Sequence, residues 1–505
     1  MQKQATSKKC SQYFETVIIG SGFSGLLAAI RLQKMKLNDF ILLERNSEIG
    51  GTWRDNSYPG AEVDIPTGLY SFSFLPYKFK KKYSPQSELL EYTNYIIDKF
   101  HIRKKTHTDR TVMKIIYDDN THLWRIFTAN DESYTARFVI DTSGVLANPH
   151  LPNIEGADTF LGPKFHTGQW NHAISYKGKR VGIIGSGCSA AQVVPAIANQ
   201  VDKLTLFMGK AQWIIPRSDR NYSPVERFLM NLPVIRQINR FIIFSYHEVR
   251  FVAFRRYPYT KKLSTMIKKL YSRTLKNNLK KHIKDEKLRN HMTPDYELGS
   301  RRVIPTNTYL PALSRDNVSV DISGIRKITP EGIRTKDGKE IALDILVYAT
   351  GFYAYSNMKK ALTFQVFGKD GRNLNNEWQQ EIVSYKGITV SGYPNYFKIN
   401  GPNTGTGHGS QISYMETMVN YAVKAISTIK KDKNIKAIDV KSQLQKQYVK
   451  KVQKSLKSTV WQTSDCSAFY RKNMTGVVTS LSPESMLYFI FSRKRFNLKD
   501  YNLLK

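Results

Sequence analysis

Two glycine-rich turns in this sequence have the spacing of phosphate-binding turns. The first is Gly20-Ser21-Gly22-Phe23-Ser24-Gly25, which follows a β-branched run (residues 16–19) and precedes an apolar run (residues 26–30). These runs predict a strand before the turn and a helix after it. In that context the three glycines permit a tight turn, let a pyrophosphate approach the backbone, and let helix and strand pack closely. The N-terminus of the helix would then face the phosphates.

An acidic residue completes this first unit. A second predicted strand, residues 40–43, ends at Glu44, which lies 24 residues after Gly20. A carboxylate at that distance can accept hydrogen bonds from a ribose diol. A lone GxGxxG motif is a weak signal, but here the strand, the helix and the acid all accompany it. The unit therefore predicts a dinucleotide-binding fold.

The second turn is Gly185-Ser186-Gly187-Cys188-Ser189-Ala190, between a predicted strand (residues 179–184) and a predicted helix (residues 191–198). The next strand, residues 203–207, is followed by Met208-Gly209-Lys210 and not by an acid. An acid there favours NAD, whereas a cation suits the 2′-phosphate of NADP. Lys210 is the first candidate for that phosphate, with Arg301 as a helper, and an ordinary solvated lysine is the alternative. Two dinucleotide folds in one chain imply hydride transfer between two cofactors.

Longer motifs surround these turns. The chain contains Gly50-Gly51-Thr52-Trp53-Arg54-Asp55, Tyr58-Pro59-Gly60-Ala61, Val63-Asp64-Ile65-Pro66, Tyr70-Ser71-Phe72-Ser73 and, between the two turns, an FxGxxxHxxxW motif formed by Phe160, Gly162, His166 and Trp170. Further matching runs are residues 344–352, 387–390 and 401–404. From about residue 16 to about residue 488, this pattern closely resembles the Baeyer–Villiger monooxygenases, within the class that also holds the flavin-containing monooxygenases.

The resemblance implies a reaction and its cofactors. NADPH reduces FAD, O2 adds to the flavin to give a flavin peroxide, and bound NADP+ shields that species from water. The peroxide then converts a small lipophilic ketone to an ester or lactone. The fold implied is α/β, with two Rossmann-like dinucleotide-binding domains, one for FAD and one for NADPH, and a helical insertion.

The resemblance also implies the catalytic pair. The active-site arginine of the family corresponds to Arg302, in the pair Arg301-Arg302, and its partner aspartate corresponds to Asp64. An always-charged guanidinium can stabilise negative charge that develops on oxygen, and a carboxylate can orient it. The alternatives are a phosphate-binding or surface arginine, and an aspartate that caps a turn.

The remaining site predictions concern cofactor binding and the long motif. His166 is expected near the linker between domains, where it maintains the conformation and does not transfer protons. Trp170 is expected to be a packing residue.

Gly209 stands where the family usually has an arginine, and Asn171 departs from the usual end of the motif. No metal-binding spacing occurs. The predicted cofactor-binding residues are Gly20, Gly22, Ser24, Gly25, Glu44, Thr52, Trp53, Asp55, Asp64, Tyr70, Val112, Gly185, Ser186, Gly187, Ser189, Ala190, Gln192, Lys210, Arg301 and Gln411.

The order of the motifs predicts nested domains. The FAD-binding domain comprises residues 1–150 and 346–505, and the NADPH-binding domain comprises residues 151–215 and 297–345. Residues 216–296 show apolar positions at helical spacing and predict an insertion that covers the substrate site.

The net charge of +36 is informative about the surface of the protein and its binding partners, and not about its fold. Nucleic acid, an anionic membrane surface and a scattered basic surface are the three interpretations. The lysines are spread along the chain without a nucleic-acid motif, so no nucleic-acid partner is expected. The basic, amphipathic insertion and residues 486–495 are candidates for peripheral membrane contact, which co-sedimentation with anionic liposomes at low salt would test. The oligomeric state stays open.

The cellular location is expected to be the cytoplasm, with possible peripheral contact at the inner face of a membrane. The first residues lack a signal-peptide pattern, and no run of about 18 apolar residues occurs. Cys10, Cys188 and Cys466 lie too far apart in sequence for a CxxC motif.

Three other functions compete with ketone oxidation. An oxygenase of sulfur or nitrogen centres could use the same scaffold, although the Asp64 and Arg302 pair favours attack on a ketone. A pyridine-nucleotide disulfide reductase needs a redox cysteine pair, which the sequence lacks. A non-catalytic, basic flavin-binding protein at a membrane surface would not need the complete set of motifs.

Overall fold

The computed structural model describes residues 11–255, 260–353, 362–463 and 476–505, so Cys10 and Cys466 lie outside the described residues. Its strands are β1 Gln12–Ile19, β2 Phe40–Leu43, β3 Thr106–His107, β4 Val112–Asp118, β5 Leu123–Thr128, β6 Ser133–Asp141, β7 Lys164–His166, β8 Arg180–Ile184, β9 Lys203–Phe207, β10 Ile214–Ile215, β11 Ile304–Pro305, β12 Val318–Asp321, β13 Ile325–Thr329, β14 Gly332–Thr335, β15 Glu340–Ala342, β16 Ile345–Tyr348, β17 Gln365–Phe367, β18 Tyr396–Lys398, β19 Ala437–Val440 and β20 Tyr501–Leu504.

The helices alternate with these strands in the first half of the chain and cluster in its middle and C-terminal parts. They are α1 Phe23–Lys34, α2 Thr52–Asp55, α3 Gln86–Lys99, α4 Cys188–Ile197, α5 Pro224–Leu229, α6 Pro233–Phe251, α7 Lys261–His282, α8 Glu286–Met292, α9 Tyr309–Leu313, α10 Leu374–Gln380, α11 Gln411–Ile429, α12 Ser442–Leu456, α13 Val460–Thr463 and α14 Met486–Arg493. Within the described ranges, no helix has both the length and the apolar character needed to cross a bilayer.

Two sheets form the framework. An eight-stranded sheet has the order β17-β4-β5-β6-β1-β2-β3, with β18 also paired to β6. A five-stranded parallel sheet has the order β12-β9-β8-β16-β7. The first glycine turn leaves β1 and the second leaves β8, as the sequence predicts. Strand β16 begins at Ile345 and belongs to the five-stranded sheet, so a division between residues 345 and 346 would fall within this strand.

Sterics explain the glycines at the two turns. A Cβ atom at Gly25 would lie 2.1 Å from the carbonyl oxygen of Gly20, which itself has φ +97°. A Cβ atom at Gly185, where φ is +134°, would lie 2.3 Å from the carbonyl oxygen of Ala349. No side chain fits these distances, so the contact of α1 with the first turn and the contact of the second turn with the backbone after β16 both require glycine.

The middle of the chain is helical, as predicted. Helices α5 to α8 lie within residues 216–296, and the short parallel pair β10 and β11 flanks them. The inner side of α6 is attached to a loop of the first half of the chain: Arg240 Nη1 donates to the carbonyl oxygens of Gly68 at 3.1 Å and Ser71 at 2.9 Å. The insertion is therefore fixed to a segment that also carries predicted site residues.

A buried ion pair closes the end of the first sheet. Lys398 Nζ lies 3.0 Å from Asp141 Oδ2, and the two side chains are 2% and 0% exposed. The hydroxyl of Tyr396 also donates to Asp141 Oδ2, at 2.5 Å. Because β18 pairs with β6, these groups join the C-terminal part of the chain to the central strands.

Lys398→Met should lower the free energy of unfolding by about 3–5 kcal/mol, because it leaves a buried carboxylate without its cation. Urea unfolding followed by circular dichroism measures the change. Lys104→Met is the matched control, since Lys104 is exposed. If both variants lost the same free energy of unfolding, the Lys398–Asp141 ion pair would not be the source of the stability.

Candidate active site

A cavity of about 340 Å³ opens at the carboxyl ends of β1 and β2, beside the first glycine turn. Ligands of open α/β sheets bind at this end of the strands. Nine of the residues predicted for cofactor binding line it: Gly20, Gly22, Ser24, Glu44, Thr52, Trp53, Asp55, Tyr70 and Val112. Residues far apart in sequence are thus brought to one cavity.

The lining of this cavity fits a dinucleotide. The Glu44 carboxylate is buried and accepts hydrogen bonds from the Ser21 backbone nitrogen at 2.9 Å and the Ser21 hydroxyl at 2.5 Å. Gly51 has φ +57°, and a Cβ atom on it would lie 2.6 Å from the Cα atom of Gly22. The segments of Gly22 and Gly51 therefore present only backbone atoms at the place where a pyrophosphate would lie.

Gln411 reaches the same cavity through another residue. Its Nε2 atom donates to Asn400 Oδ1 at 2.9 Å, and Asn400 Nδ2 donates to the hydroxyl of Ser24 at 3.3 Å. Asn400 itself lines the cavity. The first residue of α11 is thereby linked to the first turn of α1.

Aromatic and acidic side chains form the far side of the cavity. Trp53 Nε1 donates to the Tyr70 hydroxyl at 3.3 Å, and the rings meet edge to face with centroids 5.8 Å apart. Burial raises the pKa of Tyr70 to about 12, so its hydroxyl stays protonated at neutral pH. Burial also raises the pKa of Asp55, although Arg45 opposes this.

Asp64 and Arg302 form a two-pronged ion pair. Arg302 Nη2 donates to Asp64 Oδ1 at 2.6 Å, and Arg302 Nε donates to Asp64 Oδ2. Burial opposes ionisation of Asp64, but the Arg302 charge and hydrogen bonds outweigh it and hold the pKa of this carboxyl below its usual value. Both residues are charged at neutral pH. Asp64 does not line the first cavity, but both charges act on the Tyr70 hydroxyl, which does.

Backbone contacts on both sides position this pair. Asp64 lies between the buried side chains of Val63 and Ile65, and the Val63 nitrogen donates to the Ser84 carbonyl at 3.1 Å. Arg302 lies two residues before β11, where the Ile304 nitrogen donates to the Trp213 carbonyl at 2.8 Å. The pair therefore joins a loop of the first half of the chain to the strand pair that flanks the insertion.

The second glycine turn contacts the same loop. Gln192 Nε2 donates to the Glu62 carbonyl at 2.9 Å, and the Tyr58 hydroxyl donates to Gln192 Oε1 at 2.8 Å. Ser189 donates to the Tyr58 hydroxyl at 3.4 Å. Ala190 is fully buried, whereas a Cβ atom at Gly187 would meet nothing within 4 Å. This space leaves the backbone of the turn accessible to a phosphate.

Lys210 is exposed and lies next to the second turn, because the Ser186 hydroxyl donates to the Lys210 carbonyl at 2.7 Å. Arg301 lies over the Tyr296 ring at 5.4 Å, and the Tyr296 hydroxyl donates to the Ala211 carbonyl at 2.8 Å. The two predicted cations are therefore attached to the same short segment. His291, which the sequence analysis did not identify, contacts the Gly209 carbonyl at 2.8 Å.

The long motif lies at the edge of the second sheet. His166 ends β7, its Nδ1 accepts from the Gly168 nitrogen at 3.0 Å, and burial lowers its pKa to about 4. Trp170 packs edge to face on Phe165, with centroids 5.0 Å apart. Phe160 is buried, and a Cβ atom at Gly162 would lie 2.4 Å from the Asp344 carbonyl oxygen. Apart from the hydrogen bond to His166, these are packing contacts.

Sequence reasoning missed His247 and Asn400. His247 lies on the inner side of α6, is 3% exposed, and is close enough to Asp64 for that charge to act on it. A single histidine in an amphipathic helix carries no signal of such a position. Asn400 immediately precedes the motif at residues 401–404, which is a signal that could have identified it. In the ranges that the structure describes, no three His, Cys, Asp or Glu side chains are grouped to hold a metal ion.

The two sheets, each with a glycine turn open to a dinucleotide, define the chain as an oxidoreductase with two dinucleotide-binding folds. A family model described as pyridine nucleotide-disulphide oxidoreductase matches residues 17–249. A Baeyer–Villiger monooxygenase of Streptomyces coelicolor is 35% identical over 99% of this chain and 95% of its own length. Another of Pseudomonas aeruginosa is 34% identical, over 98% and 92%. The chain belongs to the Baeyer–Villiger monooxygenase family, which confirms the resemblance of its motifs.

The predicted fold class is also confirmed. The chain superimposes on the crystal structure of an NADP+-bound cyclohexanone monooxygenase from Rhodococcus with a TM-score of 0.86. The match covers 98% of this chain and 99% of that one, at 23% identity.

Asp64→Asn should lower the free energy of unfolding at pH 7 by about 1–2 kcal/mol, because it weakens the half-buried pair with Arg302. The pKa of Asp64 is lowered by folding. Its contribution is therefore present above the unfolded-state value, about pH 4, and disappears as the pH falls through the folded-state value.

Urea unfolding of both proteins between about pH 7 and about pH 3 measures this difference, which should shrink towards the acid end. Asp158→Asn, which changes a fully exposed carboxylate, is the control. If the stability difference between wild type and Asp64→Asn stayed constant with pH, an ionised Asp64 would not be its source.

Proposed function

We propose that this enzyme uses FAD, NADPH and O2 to convert a lipophilic ketone to an ester or lactone. The observation that carries the proposal is the Asp64–Arg302 ion pair, whose charges act on the hydroxyl of Tyr70 at the first cavity. Family membership supports the same reaction.

Two cofactor sites follow from this proposal. We assign FAD to the cavity at the first glycine turn, with Glu44 for a ribose diol and Trp53 and Tyr70 beside the ring system. We assign NADPH to the second turn, with Lys210 and Arg301 for the 2′-phosphate. The eight-stranded sheet is then the centre of the FAD domain, and the five-stranded sheet is the centre of the NADPH domain. Reduced FAD, when bound, supplies the chemistry that activates O2.

Arg302 supplies a fixed positive charge for this reaction. A guanidinium cannot lose its proton at neutral pH, so its charge is present throughout the reaction. It can stabilise negative charge first on the oxygen derived from O2 and then on the carbonyl oxygen of the ketone. Asp64 holds two of its nitrogens and so fixes the plane of the guanidinium. The guanidinium of Arg302 is thereby held in one orientation.

The substrate is a small organic molecule, and we propose that it is lipophilic and reaches the enzyme at a membrane surface. The apolar and basic insertion supports contact with anionic lipid. Sulfur or nitrogen oxygenation is the second candidate, because such transfer does not require the same stabilisation of a carbonyl oxygen.

Arg302→Ala should reduce the rate of ester formation from ketones by about 10²–10³-fold, because it removes one charge that stabilises the reacting oxygens. NADPH consumption and product masses, measured with a panel of ketones and thioethers, test this. Retained flavin absorbance would show that the fold and the FAD site persist.

Arg334→Ala is the matched control, since Arg334 pairs with Glu340 on the exposed hairpin of β14 and β15. It should leave ester formation unchanged. Sulfoxides as the only products of the wild-type enzyme would favour the second candidate, and a protein without flavin would overturn the proposal.

Lys210→Ala should raise KM for NADPH about tenfold and leave KM for NADH unchanged, because a phosphate contact of about 1.4 kcal/mol is lost. Lys210→Arg should retain most of the affinity. Steady-state kinetics with both nucleotides measure the effect. If Lys210→Ala changed both KM values equally, Lys210 would not be a phosphate contact.

A further inference from the structure

The outward side of α6 is a long apolar surface. Its exposed apolar residues recur at intervals of three and four, which places them on one side of the helix. Val234 and Phe241 keep 70% and 68% of their surface exposed. The outer face of α6 consists of Val234, Ile238, Phe241, Ile242, Tyr246 and Val249. Apolar surface of this extent on a soluble domain marks an interaction site.

A second helix extends this surface. Arg250 of α6 lies over the rings of Tyr246 at 5.4 Å and of Tyr271 of α7 at 5.5 Å, so the two helices meet there. Helix α7 exposes Met266 and Leu270. The apolar surface therefore has contributions from two neighbouring helices.

The insertion that carries the outer face has an excess of positive charge. Residues 216–296 contain 19 Lys and Arg against 6 Asp and Glu, which is a net charge of +13 out of the +36 of the whole chain. Lys261, Lys262 and Lys269 of α7 are exposed and, in the described part of the chain, make no ion pair. Exposed cations on the helix next to an apolar face match the two components of an anionic lipid surface.

The opposite side of α6 contacts the site. A Cβ atom at Gly68 would lie 2.7 Å from Asn239 Nδ2 and 2.9 Å from Ile243 Cδ1, so helix and loop are in close contact. That loop continues to Tyr70, which lines the first cavity. One helix thus has its outer face in solvent and its inner face against the loop that leads to the site.

We propose that the outer face of α6 is the docking surface for an anionic lipid bilayer, from which the enzyme takes its lipophilic ketone. The statement that the ketone comes from the bilayer rests on the proposed function, whereas the docking of α6 on the bilayer does not. A second copy of this chain would bring the same excess of positive charge against itself, which charge repulsion disfavours. Anionic lipid instead neutralises that charge while the apolar side chains enter the interface.

Flotation of the FAD-loaded enzyme with vesicles tests the docking surface. The vesicles contain phosphatidylcholine and phosphatidylglycerol in equal amounts, or phosphatidylcholine alone. Wild type should float with the anionic vesicles at low salt, and less so at high salt or with neutral vesicles. The double variant Phe241→Asp/Ile242→Asp should bind the anionic vesicles at least tenfold more weakly. Leu503→Asp, which alters an exposed leucine on β20, should bind like wild type.

Several outcomes would overturn docking. They are a wild type that stays unbound, a double variant that binds like wild type, or a wild-type dimer that the double variant converts to monomers without any vesicle binding. The same holds if only acidic proteins, and not vesicles, bind the outer face.

Activity separates docking from the reaction. With a short water-soluble ketone the double variant should match wild type, and with a long-chain ketone dissolved in anionic vesicles it should be at least tenfold slower. Vesicle binding without oxidation of any ketone would reject the proposed function and leave docking intact. Equal rates for both proteins on the vesicle-borne ketone would reject the bilayer as its source.

Discussion

The ion pair of Asp64 and Arg302 constrains much of this structure, because its two members lie 238 residues apart and must meet in one orientation. Asp64 is fixed by a loop of the first half of the chain, and Arg302 by the strand pair that flanks the insertion. A two-pronged arginine–carboxylate contact tolerates little rotation. Gln192 of α4 contacts Tyr58 and the Glu62 carbonyl, so it also holds the loop that carries Asp64. An arginine without this partner would still carry its charge, but its nitrogens would not have a constant direction.

Backbone proximity is the second constraint. At both turns a glycine occupies a place where a Cβ atom would approach a carbonyl oxygen to within about 2.3 Å or less. The same close approach that shapes the turn leaves its amides uncovered. The fold and the phosphate-binding surface therefore depend on the same atoms, and a substitution at Gly25 or Gly185 would damage both.

The local parts of the fold were predictable, because strand, turn and helix are neighbours in sequence. Strands β2 and β9 have the predicted bounds, and α1 and α4 begin within their glycine motifs, at Phe23 and Cys188. The partnership of Asp64 and Arg302 came from the resemblance to a family, since neither spacing nor composition could place two such distant residues together. The positions of His247 and Asn400 were not predicted. Arg250, His408 and Asp64 act on His247, and Asn400 is bonded to Ser24 and Gln411. Such contacts between distant parts of the chain leave no periodic signal in the sequence.

Charge is distributed in a way that protects the pair. The insertion carries a large positive excess, yet the ionisable group that α6 turns towards Asp64 is His247, whose pKa burial lowers to about 3, with Arg250 acting in the same direction. A protonated histidine there would compete with Arg302 for the Asp64 carboxylate. Because His247 is neutral at physiological pH, Arg302 keeps both oxygens of its partner. Lys261, Lys262 and Lys269 of α7 are at the surface, where water screens them and where they are available to an anionic partner. The insertion can therefore carry a large positive charge without weakening the ion pair of Asp64 and Arg302.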